Sequence, residues 1–240
     1  MKYLKILFLF IALISATFHA SAHALWIETT PIGKAGQVHT VKLFFGEYAE
    51  GEREPLTNWH SDLKDLELWL TKPDGSKEKL TVNPDSNFLH TSFVPSANGV
   101  YILSTAHKLG DLNGDTQLEF LAQTTVSVGK IGDNPETMLS SQELTVFPQS
   151  PAKWKVNKPT KLKALHKGGT LTEGFATILS PTGWTKGIPL GADGTVDFIP
   201  LWPGTYVIEI SHYEKTPGKH KANSYEALWQ GATYSIEVAK

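Results

Sequence analysis

Histidines and acidic residues define the chemistry this sequence can offer. The chain contains no cysteine, so a transition metal would be held by imidazole nitrogens and carboxylate oxygens, donors that suit Ni(II), Co(II), Cu(II) and Zn(II). Two groups of such residues are predicted to meet. His23, Glu47, His60 and His107 form the first; His166, His212 and His220 form a second and weaker one. His23 has a further claim, because the segment before it reads as an export signal: Lys2 and Lys5 precede an apolar run, and Ala20-Ser21-Ala22 fits the small-x-small rule for cleavage. A cut after Ala22 makes His23 the leading residue, and its α-amine and imidazole can then chelate one ion together. Ala22-His23-Ala24 satisfies the same rule, and a cut after Ala24 would discard the histidine. The first position leaves the shorter polar stretch and is favoured.

The elements that must position these side chains are strands. Short alternating segments separated by turn residues recur along the chain, and long helical periodicity is hard to find. Strands are predicted over 25–29, 38–46, 66–72, 77–82, 88–94, 99–107 and 118–128, and again over 143–148, 160–166, 172–179, 195–200, 204–213 and 225–239. Pro73-Asp74-Gly75 supplies a fixed φ followed by a residue that accepts a positive one, Asn98-Gly99 does similar work, and Asp193-Gly194 lies in a further tight turn. The expected organisation is a signal peptide over 1–22, a β-sandwich over 23–128, a linker over 129–142 with a short turn at Asn134-Pro135-Glu136-Thr137, and a second sandwich over 143–240. The fold class is all-β, two tandem immunoglobulin-like or transthyretin-like sandwiches.

In such a sandwich the start of the first strand and the ends of the second and penultimate strands share one pole. That topology brings His23, Glu47 and His107 together, and His60 reaches them from the loop after the second strand. Glu47 would act as a ligand or as the acceptor that orients a ring. Applied to the second half, the same reasoning joins His166 to His212, with His220 in the adjoining hairpin loop. Lys215, Lys219 and Lys221 in that loop oppose a bound cation. His39, on a face with Val41, Leu43 and Phe45, reads as a hydrogen-bonded core residue; His90, beside Ser92, reads as exposed.

Other signals are weaker. Asp111-Leu112-Asn113-Gly114-Asp115 hints at a calcium loop but has Thr116 and Ala122 where glycine and glutamate belong, so it reads as a polar turn. The run Glu47, Glu50, Glu52, Glu54 reads as hydrated. Trp26 and Trp69 are expected in the core, and Trp59, Trp184 and Trp202 near exposed turns. No nucleophile-bearing turn or serine-histidine-acid arrangement stands out. A formal net charge of −2 and the lack of a basic stripe argue against nucleic acid. No segment after the signal is long and apolar enough to span a bilayer, and without cysteine there is neither a disulfide nor a lipid anchor on cysteine.

His23-Ala24-Leu25-Trp26-Ile27-Glu28, Gly36-Gln37-Val38 and Phe44-Phe45-Gly46-Glu47 resemble the opening of the domain-of-unknown-function family described as the periplasmic component of a nickel uptake transporter family. Leu144-Thr145-Val146-Phe147-Pro148, Lys167-Gly168-Gly169, Asp193-Gly194-Thr195-Val196-Asp197-Phe198, Pro203-Gly204-Thr205-Tyr206 and Gly231-Ala232-Thr233-Tyr234 are similar to its second half. The resemblance spans nearly the whole mature chain and implies a periplasmic all-β protein tied to metal uptake, with a membrane transporter or outer-membrane receptor as partner. Catalysis is not an established trait of that family. Its members often carry a helix-containing insertion before the last strand of the first domain, for which Lys108 to Gln117 is too brief.

The expectation is therefore an exported, non-catalytic protein that binds Ni, Cu or Co for uptake or buffering. A reading of another class is a structural, protein-binding or glycan-binding module that uses Trp184 and Trp202. A third is a copper redox enzyme built on an N-terminal histidine brace.

Overall fold

The computed structural model describes residues 23–130, 141–149 and 154–240. The signal segment and most of the expected linker, including its turn, lie outside the described residues. In the first half the strands are β1 (Ala24–Glu28), β2 (His39–Gly46), β3 (Leu68–Thr71), β4 (Lys77–Leu80), β5 (Leu89–Phe93), β6 (Gly99–Asn113) and β7 (Thr116–Val128). The second half contributes β8 (Leu144–Pro148), β9 (Thr160–His166), β10 (Phe175–Leu179), β11 (Thr185–Pro189), β12 (Thr195–Phe198), β13 (Gly204–Glu214) and β14 (Ala227–Ala239). Shorter pairings such as Gly218–His220 with Asn223–Tyr225 complete an all-β protein of sandwiched sheets.

The predicted turns at Gly75 and Gly194 form. Gly75 and Gly194 take positive φ values of 80° and 69°, and the preceding Asp74 and Asp193 carboxylates accept from the backbone N–H of Ser76 and Thr195 at 3.0 and 3.1 Å. One loop does not form as expected. Lys108 to Gln117 belongs to a long hairpin in which β6 and β7 pair as far as Asn113 and Thr116, with an irregularity between Lys108 and Leu112. Gly114, at φ 63°, occupies the first central position of the two-residue turn, where only glycine is free of steric cost. The calcium-like motif is thus a strand end and its turn.

A single sheet runs through both halves in the order β11-β10-β13-β14-β7-β6-β3-β4. The junction is the parallel pairing of β14 with β7, from Ala227 opposite Thr116 to Tyr234 opposite Gln123. Alternation along these strands buries opposite faces in different cores. Leu121, Ala232, Ile210 and Ala176 pack under β8, β9 and β12 of the second half, whereas Phe120, Ala122, Tyr101 and Leu103 pack under β1, β2 and β5 of the first. Each half keeps its own covering sheet, as expected of two sandwiches, but the middle layer is shared. A third cluster joins Ala24, Trp26 and Phe44 to Leu179 and Val207, so β1 is buried on both sides and bridges the halves.

Candidate functional site

The start of β1 lies beside the end of β2, with Ala24 opposite Gly46, and this register sets His23 next to Glu47. His23 Nδ1 stands 3.1 Å from Glu47 Oε1, and Nε2 stands 3.3 Å from Glu54 Oε1. Glu54 is held because its backbone N–H donates to the Phe45 carbonyl at 2.9 Å and its own carbonyl accepts from Trp59 Nε1 at 3.0 Å. Gly46 permits this fold-back: at φ 147° it faces the Glu52 carbonyl so closely that any side chain there would collide. Sequence pattern alone placed Glu54 in a hydrated run, because the loop's return path is not written in local alternation. The groups that face the two ring nitrogens of His23 are thus both carboxylates.

The remaining members of the first predicted group do not converge on His23 as one ligand set. His107 is not at a strand end, because β6 continues to Asn113, and its Nε2 faces Asp62 Oδ1 at 3.1 Å. Asp62 Oδ1 also accepts from the Gly110 N–H at 2.7 Å, and its other oxygen accepts from Lys221. Burial pushes the Asp62 carboxyl up, but Lys221, Gly110 and His107 together outweigh it and hold the group well below the usual carboxylate range. His60 shares with His23 an open cleft of about 710 Å³ rather than a coordination sphere.

The second group is the more compact. His166 ends β9 and His212 lies near the end of β13; their rings sit 4.0 Å apart between centroids. Among the described residues, His166, His212 and Glu214 form the group whose possible ligand atoms all lie within 4.8 Å of one another, each residue being half-buried. His166 Nε2 is buried, and the His166 ring hydrogen-bonds with the Gln230 side chain. Burial first, then the His212 and Lys167 charges, lower the His166 pKa from its ordinary value, against the opposing effects of Glu214 and Gln230, which favours the neutral imidazole that a metal ligand must be. Lys167 approaches Glu214 Oε2 at 2.8 Å, and the hydrogen bonds from Lys167 and from the Thr216 side chain depress the carboxyl. Beside them Gln230 Nε2 donates to Glu119 Oε2 at 2.6 Å and to Glu143 Oε2 at 3.3 Å.

His220 does not join this group, although its Nε2 is buried without a partner. The lysine that opposes a cation here is Lys167, from the β9 end, while Lys221 turns away to Asp62. Glu214 was missed in the sequence because its place follows from two-residue alternation after His212 only once β13 is known to run on to it.

The other histidines and the tryptophans sort by alternation. His39 is a core residue whose Nε2 sits 2.8 Å from Thr29 Oγ1, and burial lowers its pKa; His90 is exposed. Trp26 is fully buried as expected. Trp69, expected in the core, is exposed because Leu68 and Leu70 take the inward positions. Trp59, expected near the surface, is buried against Phe45. Trp184 and Trp202 lie near each other, 6.1 Å between ring centroids. Among the described residues no helix is long and apolar enough to cross a membrane.

No protein-family model matches this chain, and no curated protein matches it. Among solved structures it is similar to the CARDB domain of a Pyrococcus furiosus protein in complex with di-metal ions, at 12% identity and a TM-score of 0.26, covering 48% of this chain and 98% of that one. It is also similar to Escherichia coli alpha-2-macroglobulin activated by porcine elastase, at 13% identity and a TM-score of 0.30, covering 91% of this chain and only 20% of that one.

Proposed function

We propose that this is an exported, non-catalytic β-sandwich protein that binds a divalent transition metal of the Ni, Co or Cu type at His166, His212 and Glu214, in the service of metal uptake or buffering outside the cytoplasm. The observation that carries the reading is the convergence of two imidazoles and a carboxylate within 4.8 Å, a donor set matched to these ions. The acidic fringe of Glu119 and Glu143 beside the pair, which would draw a cation, supports it. Export rests on the signal-like sequence before His23. Ala24 pairs with Gly46 and is 4% exposed, so a cut after Ala22 preserves β1, whereas a cut after Ala24 would shorten it. The resemblance to the nickel-uptake family supports a membrane transporter or an outer-membrane receptor as partner.

Calorimetric titration of the metal-free mature protein with Ni(II), Co(II) and Cu(II) tests the site. One equivalent is expected to bind, and His166→Ala or His212→Ala is expected to weaken binding at least about tenfold, a loss of about 1.4 kcal/mol. Unchanged affinity in both variants would refute the assignment.

A further inference from the structure

The strands that carry the metal candidate on one face present a different chemistry on the other. His212, Gln230 and Glu119 alternate with Tyr213, Trp229 and Phe120, which point to the opposite side of the shared sheet. There the sheet extends past its cover and forms the floor of the open cleft of about 710 Å³, a volume in the range of small-molecule sites. Trp229 lies across Gly231, where any Cβ would strike the indole, so the ring is laid down along the sheet. Phe120 braces it edge-on at 5.5 Å. The result is an aromatic platform open on its outer side.

The rim is polar. Asn113 offers an amide, Thr116 a hydroxyl that donates to Asp115 Oδ1 at 3.3 Å and can still accept, and Tyr213, 53% exposed, a phenol, while the Asn58 amide is engaged by donation to Glu54 Oε2 at 3.2 Å. His23 and His60 are the ionisable groups besides Tyr213 on the lining, where the described residues include no lysine, arginine, aspartate or glutamate. Apart from the α-amine that His23 would carry in the mature chain, a charged ligand would find no fixed counter-charge in the lining, and a purely apolar one would leave rim polar groups unpaired at a cost of about 1–3 kcal/mol each. A ligand that satisfies both surfaces has an apolar C–H face for the indole and hydroxyls along its edge. We propose that this cleft is a binding site for a neutral saccharide, stacked on Trp229 and hydrogen-bonded through Asn113, Thr116 and Tyr213. This site is separate from the metal candidate, and separate from the Trp184 and Trp202 pair.

The test uses the mature full-length chain and a panel of maltotriose, cellotriose, xylotriose and chitotriose at up to about 10 mM, followed by tryptophan fluorescence and calorimetry. At least one is expected to bind with a Kd of a few millimolar or tighter, about −3 kcal/mol or better. Tyr213→Ala, a surface change, and Gly231→Ala, which lifts the indole, are each expected to weaken binding at least about fivefold, and Trp184→Ala is expected to leave it unchanged. No binding from any member of the panel overturns the proposal, as does binding that survives both cleft variants. Tighter binding of free indole than of every sugar overturns the saccharide assignment.

Discussion

Replacing Glu209 with glutamine should make the protein more stable in alkali while leaving it unchanged in acid. Glu209 lies on β13, on the same side as Val207, and projects into a second cleft beside Glu47, Tyr48 and Glu50, whose lining among the described residues includes no lysine, arginine or histidine, His23 standing behind Glu47. Burial, and then the nearby Glu47 charge, raise its pKa from 4.5 to about 7. The sign follows from proton binding: between these two values the folded state holds a proton that the unfolded chain has released. Stability is therefore fully present below pH 4.5 and is lost as the pH rises through about 7. The difference between 4.5 and about 7 corresponds to about 3 kcal/mol, an upper figure because the cleft admits water. Glutamine has nothing to ionise. Urea denaturation should give coincident curves for Glu209→Gln and the parent near pH 4.5, and a gain for the variant of about 1–3 kcal/mol at about pH 8. A difference below about 0.5 kcal/mol at the higher pH would refute the reasoning, since the carboxylate would then be as well solvated in the fold as in the open chain.

Two further substitutions probe how the halves are joined. Asp62→Asn keeps the shape but removes the charge that faces His107 and Lys221; at neutral pH it should cost about 1–2 kcal/mol in urea denaturation. Because the Asp62 carboxyl is held below its ordinary 3.8, that cost should be full above about pH 4 and shrink as acid protonates the parent; a cost that grows in acid contradicts the assignment. Trp26→Ala should lower stability by about 3–5 kcal/mol by calorimetric melting, because the fully buried ring packs β1 against Leu179 and Val207 from the other half; a loss under about 1 kcal/mol would show that β1 does not bridge them.

The strands were legible because each one's evidence is local. Val196 and Phe198 alternate with Thr195 and Asp197, Thr160 to His166 was bounded to the residue, and Gly75 and Gly194 turn the chain where their neighbours require positive φ. His23 and Glu47 were also within reach, since a single antiparallel register sets both. Trp69 was misread although the signal was present: Leu68 and Leu70 flank it, and period-two alternation sends it outward.

The amino-acid order by itself determined the β class, the turns, the absence of thiol chemistry and the candidate export signal, because these depend on composition and on neighbours a few residues apart. Tertiary structure alone decided that β14 pairs with β7 across more than a hundred residues, that Asp62 rather than His23 receives His107, and that Glu214 completes the imidazole pair. Those outcomes depend on which distant surfaces gain most by being buried together, a competition among all packings of the chain that no local pattern encodes.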